Sequence, residues 1–315
     1  MQQNSKLLIS FNKFLKISLS ICIIGLMLFA LIKPDFYIST ATSALLLWAT
    51  NLLPALFPFF VFTKIIVQLN ILVPLSKITS PIMHILFKTG KNSGYLYIIS
   101  LLCGYPIGSK IIVDAYHNGQ IDYTELHRLS AITSVSGPLF IVGTVGISML
   151  TNSIIGYIIL LAQIITSILN GLIYRNYTPK NAENQAKQST TNNSSNILVS
   201  SINSSIESVL LIGGLVTVFF VGIEVINSII TLPPLTQGII ELTKGCYEIS
   251  LSNYPPVIAT TLCSVLISFG GFCIHAQSYY FLAQANVSYL FFLIQKCTQM
   301  LISAIVTLSL AILML

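Results

Sequence analysis

Two lysines interrupt apolar stretches of this 315-residue chain, Lys110 in the first half and Lys244 in the second. A cation inside a membrane segment is energetically costly, so it is a functional-site hypothesis by default. An ammonium group in a partly dehydrated cavity would bind an anion such as a carboxylate. Two alternatives stay open for each lysine: it snorkels to an interface from the end of a hairpin, or it pairs with a neighbouring acid, Asp114 or Glu241.

The surroundings of the two lysines match. A hydroxyl-bearing residue precedes each of them, Ser109 or Thr243, and a helix-breaking glycine follows each, Gly137 after 27 residues and Gly270 after 26 residues. Paired interruptions at corresponding places in two halves of a membrane protein point to a transporter's substrate site near the bilayer midplane. The sequence therefore predicts one binding site that both halves build.

The interruptions offer a second way to bind an anion. Each is expected to begin a half-helix, with Ser136 as the cap and Pro138 in the first turn after Gly137, and with Gly270-Gly271 at the second interruption. Free N–H groups and the positive end of a helix dipole favour a carboxylate. An earlier interruption, Gly104-Tyr105-Pro106, predicts a re-entrant hairpin, because broken backbone at membrane depth persists only where protein or water surrounds it.

His275 and Gln277 follow the second interruption inside an apolar span. The histidine is either a hydrogen-bonding residue between helices or a contact to the substrate. Glu207, Glu224 and Lys296 lie nearer the ends of their spans, so we expect them at the membrane interfaces. The predicted substrate-binding residues are Gly104, Pro106, Ser109, Lys110, Ser136, Gly137, Pro138, Thr243, Lys244, Gly270, Gly271, His275 and Gln277.

The composition indicates an integral membrane protein. Hydrophobic residues make up 54% of the chain and charged residues only 8%, whereas a soluble domain carries about 25% charged residues. At about 20 residues per span, the apolar stretches allow roughly seven to nine membrane segments. They leave no room for a soluble catalytic domain. No nucleophile or acid/base pair emerges either, so an enzyme is not expected.

The charge distribution, the cysteine spacing and the absence of a phosphate-binding motif argue against several classes of ligand and partner. The net charge of +6 resides mostly in short loops, which the positive-inside rule explains without a nucleic acid. The six cysteines never stand in a Cys-x-x-Cys spacing, so neither a zinc site nor a disulfide framework is expected. No metal and no cofactor are expected. There is no Gly-rich phosphate loop that would indicate ATP-driven transport. The expected partners are a small organic anion and the lipid bilayer, and the oligomeric state stays open.

The predicted fold is an all-α, polytopic transmembrane bundle with inverted repeats, broken helices and re-entrant hairpins. Lysines precede an apolar run that predicts an uncleaved first helix with a cytoplasmic N-terminus. Asp122 and Glu125 have capping-box spacing at the start of the helix before Gly137. The predicted units are an N-terminal transmembrane helix (1–40), a first repeat (41–175), a polar cytoplasmic linker (176–196) and a second repeat (197–315).

The inverted relation follows from charge counting. Cations at residues 77, 88 and 91 and in the linker belong in the cytoplasm, and the segments that carry Lys110 and Lys244 count as re-entrant. The first repeat then enters the membrane from outside and the second from inside, which is an inverted-topology repeat. The two lysine segments are expected to dip in from opposite faces and to approach each other near the midplane.

The same motifs carry a family resemblance over about residues 44–315. The chain resembles the YlbJ-type sporulation integral membrane proteins, whose core is the nucleoside-recognition, or Gate, domain. The motifs are Gly104-Tyr105-Pro106-Ile107-Gly108-Ser109-Lys110, Ser136-Gly137-Pro138-Leu139-Phe140-Ile141, Glu241-Leu242-Thr243-Lys244-Gly245 and Ser268-Phe269-Gly270-Gly271.

The resemblance implies a distant relative of concentrative nucleoside transporters that moves dipicolinic acid across the outer forespore membrane. Dipicolinate is a flat dianion, which two lysines and two half-helix starts would suit. The polar and acidic residues with which nucleoside transporters bind ribose and sodium have no obvious counterpart near Gly137 or Gly270. The alternatives are a membrane scaffold that does not transport and a transporter of a nucleoside-like solute. The coupling ion and the direction of transport stay open.

Overall fold

The computed structural model describes residues 20, 23–69, 74–179 and 196–315. Within these residues the regular structure is helical, without a strand, which confirms the predicted all-α bundle. The helices are, in chain order, α1 (Ile23–Ile32), α2 (Pro34–Leu47), a π turn (Trp48–Leu52), α3 (Leu53–Gln68), α4 (Leu75–Phe87), α5 (Ser93–Cys103), α6 (Ile107–His117), α7 (Tyr123–Thr133), a π segment (Leu139–Met149), α8 (Ser153–Tyr174), α9 (Ile197–Asn227), α10 (Pro234–Ile240), α11 (Leu242–Leu251), α12 (Pro256–Phe269), α13 (Gly271–Leu282), a short 3-10 turn (Ala283–Ala285) and α14 (Tyr289–Met314).

Fewer helices than expected are long enough to cross a membrane by themselves. By length and composition, four described helical stretches qualify: Ser153–Tyr174, Ile197–Asn227, Pro256–Ala285 (interrupted at Gly270) and Tyr289–Met314. A fifth is added if α1 and the segment Pro34–Leu52, which meet at a bend of 113°, count as one span. The shorter apolar helices, Leu56–Ile66, Ser93–Cys103 and Leu139–Met149, have only 10–17 residues.

The boundary predicted at residue 40 is wrong, because it falls inside α2. Pro34 occupies the first turn of α2, where its missing N–H costs nothing, and the chain turns sharply just before it at Lys33. The first helix therefore ends at Ile32.

Each half contains one pair of short helices. In the first hairpin, α5 and α6 are joined at Gly104-Tyr105-Pro106. In the second hairpin, α10 and α11 are joined at Glu241. The element that follows each hairpin is also broken: α7 ends before the first break (134–138), and α12 ends at the second break, Gly270.

Local capping signals are confirmed at α7. The Asp122 side chain accepts a hydrogen bond from the backbone N–H of Glu125, and the Glu125 carboxylate accepts one from the N–H of Asp122. The expectation at the first break is wrong. Pro138 holds the cap position of the π segment, with no side-chain cap, and Ser136 is buried beside the hydroxyl of Tyr105.

The long C-terminal helix joins the two halves. The C-terminal helix α14 packs against α8 and α12. The Ser264 hydroxyl of α12 lies 3.0 Å from that of Ser303 and 2.7 Å from that of Thr307 on α14. These polar contacts between apolar helices fix the rotation of α14 about its axis, and so decide which of its side chains face the breaks.

Most of the predicted linker (176–196) lies outside the described residues. Its first residues pack: the ring of Tyr177 stacks on Phe291 at 4.3 Å between centroids. The Tyr177 carbonyl also accepts a hydrogen bond from Arg128 Nε at 3.1 Å. Tyr177, which the prediction placed in the linker, therefore packs against α14.

Candidate functional site

In the first half, the tip of the hairpin touches the break. Gly104 has φ +70°, and a Cβ placed there would collide with the backbone nitrogen of Gly137. The Tyr105 N–H donates to the carbonyl oxygen of Val135 at 2.7 Å. The small residues at these positions therefore let two backbones meet.

The second half repeats this contact with other residues. A Cβ on Gly271, which has φ +66°, would lie 3.0 Å from the carbonyl oxygen of Gly238 and 3.1 Å from the nitrogen of Leu242. Gly270 is also left-handed, with φ +91°, and ends α12. In both halves the second interruption thus packs on the hairpin of its own half.

A cavity of about 560 Å³, including the part that opens outward, lies between the halves. Its walls come from both hairpins, both broken elements and helices α3 and α9. The polar lining residues are Tyr105, Ser136, Glu241, Thr243 and Gln277, and the others are Leu52, Leu56, Phe59, Cys103, Gly137, Leu139, Phe140, Ile212, Val216, Leu242 and Ile274.

Four of the predicted substrate-binding residues line this cavity: Ser136, Gly137, Thr243 and Gln277. Gln277 is 1% exposed, and its side-chain oxygen has no hydrogen-bond partner in the described structure. The lining does not include Gly104, Pro106, Ser109, Lys110, Pro138, Lys244, Gly270, Gly271 or His275. Of these residues, Gly104 and Gly271 take part in the close contacts between hairpins and breaks described above.

Lys244 is neutralised by two acids. Its Nζ lies 2.8 Å from Glu224 Oε1 and 2.7 Å from Glu248 Oε1, and 4.7 Å from the ring centroid of Phe220. Glu224, which was expected at a membrane interface, therefore forms an ion pair with Lys244. The alternative partner Glu241 instead caps α11, where its carboxylate accepts hydrogen bonds from the N–H groups of Thr243 and Lys244.

Lys110 stands in a different environment, near a lysine that the sequence reasoning missed. Lys64 of α3 donates to Ser204 and, at 2.9 Å, to the hydroxyl of Ser208 on α9. Lys110 is close enough to Lys64 for the two charges to repel. The position of Lys64 inside the apolar run of α3 could have identified it as a second candidate lysine near Lys110.

His275 braces the second break. Its Nε2 donates to the carbonyl oxygen of Phe269, the last residue of α12, at 2.9 Å. Its ring lies between Phe269 and Phe292, with centroid distances of 4.6 and 5.2 Å. Of the two alternatives for His275, this geometry is that of a hydrogen-bonding residue inside the bundle.

The sequence prediction for Lys296 is wrong: the residue was expected at a membrane interface, but it is buried. The side chain is 1% exposed, and its Nζ donates to the carbonyl oxygen of Ser134, in the first break, at 2.8 Å. A signal was present: polar residues recur along one face of α14 at helical spacing, and the lysine belongs to that stripe. The stripe comprises Gln295, Lys296, Gln299, Ser303 and Thr307.

Glu241 is a second residue that the predicted set lacked. It is 1% exposed, lines the cavity and caps the start of α11. The signal for it was an acid directly before a short helix, where a carboxylate is stabilised by the free N–H groups and the positive end of the helix dipole. In the described part of the chain, no group of three or more His, Cys, Asp or Glu residues could hold a metal ion.

Similarity to a known protein agrees with the motifs. The chain is 22% identical over 313 residues to the sporulation integral membrane protein YlbJ of Bacillus subtilis (strain 168), and the similarity covers 86% of this chain and 77% of that relative. This similarity supports the YlbJ-type resemblance that the motifs carry. No protein-family model matches the chain, so the Gate domain of YlbJ-type proteins stays an implication of the resemblance. No solved structure matches it.

Proposed function

We propose that this protein is a transporter rather than an enzyme, and that it moves dipicolinic acid across the outer forespore membrane during sporulation. The observation that carries the proposal is the cavity that both halves line where hairpins and breaks meet. Transporters with internal repeats bind their substrate at such an interface, from broken helices.

The chemistry of the cavity supports a partly aromatic solute. Apolar side chains form most of the wall, and its polar lining residues are Tyr105, Ser136, Glu241, Thr243 and Gln277. Ser136 and Gly137 also bring the start of the π segment to the wall. Backbone N–H groups at such a start attract carboxylates.

One observation favours a nucleoside-like solute as a second candidate. Glu241 and Gln277 bring acceptor oxygens to the cavity, and Gln277 Oε1 has no partner in the described structure. Acceptors of this kind bind the hydroxyl groups of a sugar. Glu241 also supplies an acidic group, for which the sequence near Gly137 and Gly270 offered no obvious counterpart.

The test uses two tryptophan substitutions on α9. Val216 lines the cavity and is 2% exposed, whereas Val218, two residues along the helix, is 61% exposed. Each variant and the wild type are reconstituted in liposomes, and the uptake of dipicolinate is measured. We expect Val216→Trp to abolish uptake, because the indole fills the cavity, and Val218→Trp to transport normally.

Other outcomes would reject parts of the proposal. No uptake by the wild type, together with normal dipicolinate in spores that lack the protein, would leave the membrane scaffold as the better description. Strong competition by uridine or adenosine would favour the nucleoside-like solute. Equal uptake by the two tryptophan variants would show that the cavity is not on the transport path.

A further inference from the structure

Lys296 is a buried cation without an acidic partner. Its Nζ donates to the carbonyl oxygen of Ser134 at 2.8 Å and to Gln299 Oε1 at 2.9 Å. Both acceptors are neutral. Among the residues that the structure describes, the ion pairs within 4 Å both belong to Lys244. The charge of Lys296 is therefore hydrogen-bonded but not neutralised.

A neutral hydrogen-bond donor is enough to satisfy the free carbonyl oxygen at a helix break. At the second break the carbonyl oxygen of Phe269 is satisfied by the His275 ring at 2.9 Å. An ion moved into the protein interior loses solvation worth several kcal/mol, which a counter-ion or an excellent set of hydrogen bonds must offset. A lysine in place of a neutral donor at the first break therefore points to a further role for its charge.

Lys296 lies directly behind the polar part of the cavity wall. Its Nζ is 5.9 Å from the ring centroid of Tyr105, and Tyr105 lines the cavity together with Ser136. Ser136 is two residues from Ser134, the acceptor of the lysine. On the other side, a Cβ on Gly270 would lie 3.8 Å from Lys296 Cε, so the lysine touches both breaks. The ammonium group therefore lies next to the ring of a residue that lines the cavity.

We propose that Lys296 is a substrate-binding residue whose ammonium group pairs with one carboxylate of the transported acid. The carboxylate reaches Nζ when the Tyr105 ring, at the tip of the first hairpin, turns aside. Lys296 thus replaces Lys110 and Lys244 as the cation of the substrate site. This assignment rests on the proposed transport of an organic anion, and it names the group that selects a dicarboxylate over a monocarboxylate.

The experiment compares two ligands on purified, full-length protein. Dipicolinate has two carboxylates on a pyridine ring and picolinate has one, so the ratio of their dissociation constants measures the contribution of the second carboxylate. We expect the wild type to bind dipicolinate at least tenfold more tightly than picolinate. In Lys296→Gln, which keeps a donor for the Ser134 carbonyl, the ratio should fall to about one.

Stability gives an independent readout, and Lys244 supplies the matched control. Removal of an unneutralised buried charge in Lys296→Met should leave the unliganded melting temperature unchanged or raise it. Lys244→Met leaves two acids without their cation and should lower it. Lys296→Arg, which keeps the charge, should retain part of the preference for dipicolinate.

Two results would overturn the assignment. A Lys296→Gln variant that keeps the wild-type preference for dipicolinate would show that the lysine binds no carboxylate. An equal loss of affinity for both acids, with a lower melting temperature in Lys296→Met, would assign it to structure alone. If the wild type binds neither acid, the proposed substrate fails first, and that result is distinct from both of these.

Discussion

Gly104 adopts a backbone conformation that only glycine tolerates well. Its φ of +70° and ψ of −174° lie in a region that is essentially restricted to glycine, where other residues cost of order 1–3 kcal/mol. A Cβ there would also collide with Gly137. The residue therefore meets two separate requirements, one of conformation and one of space.

A pair of alanine variants separates the two requirements. Gly119 has φ +69° and no atom within 4 Å of an added Cβ. We expect Gly119→Ala to lower the melting temperature slightly and to leave dipicolinate uptake intact. Gly104→Ala should lower the melting temperature further and abolish uptake, because the hairpin can no longer rest on the break. Similar uptake by both variants would contradict a role for this contact.

Glu241 allows a second matched test at the same scale. Glu241 and Asp122 each cap a helix, α11 and α7, but only Glu241 lines the cavity. Each substitution by alanine should cost about 1 kcal/mol of unfolding free energy. Uptake should be lost in Glu241→Ala and kept in Asp122→Ala. Normal uptake by Glu241→Ala at normal expression would remove the start of α11 from the site.

At the scale of elements, Lys244 joins the second hairpin to α9. Its partners Glu224 and Glu248 are 24% and 28% exposed in their side chains. Lys244→Met should destabilise the fold by about 3 kcal/mol, the lower end for a broken buried ion pair, because both carboxylates keep partial exposure. Lys110→Met breaks no ion pair within 4 Å among the described residues. We therefore expect it to lower the free energy of unfolding, measured by thermal unfolding, by less than half as much as Lys244→Met.

The linker between α8 and α9 provides a further prediction. Deletion of five or six residues within 180–195 should leave membrane insertion and the melting temperature unchanged, because this polar stretch has no apolar face to bury. Tyr177→Ala should lower the melting temperature, since its ring stacks on Phe291 at 4.3 Å. If the deletion prevented insertion and Tyr177→Ala had no effect, the division of the linker into a packed N-terminal end and an unpacked stretch (180–195) would be wrong.

For the whole molecule, the inverted repeat stays a prediction. It specifies on which side of the membrane each loop lies. Charge counting places the loop between α6 and α7 in the cytoplasm and the loop between α11 and α12 outside. Asn118 and Asn253 are exposed residues in these loops. A membrane-impermeant thiol reagent on intact cells should label Asn253→Cys and not Asn118→Cys, with the parent protein as the control.

Labelling of both cysteines, or of neither, would contradict the inverted relation. Labelling after the cells are permeabilised separates a buried position from one on the inner face. The result does not depend on which solute is transported, so it tests the architecture by itself.

Sequence alone determined the local features of this protein. The membrane class follows from composition, because lipid excludes most charged side chains. The interruptions lie where glycine and proline break helices, with α5 ending before Gly104 and α12 ending at Gly270. The capping box at Asp122 formed as predicted. Each of these features depends on residues within a few positions of one another, so propensity and hydrogen-bonding patterns suffice to predict it.

Only the tertiary structure decided which charges meet. Lys244 pairs with Glu224 of another helix, and Lys296 donates to Ser134, which lies 162 residues earlier in the chain. Such contacts depend on how α9 and α14 are rotated and packed against the breaks, which no short window of sequence encodes. For that reason the sequence located the two interruptions, whereas helix packing placed Glu241 on the cavity wall and Lys296 directly behind it.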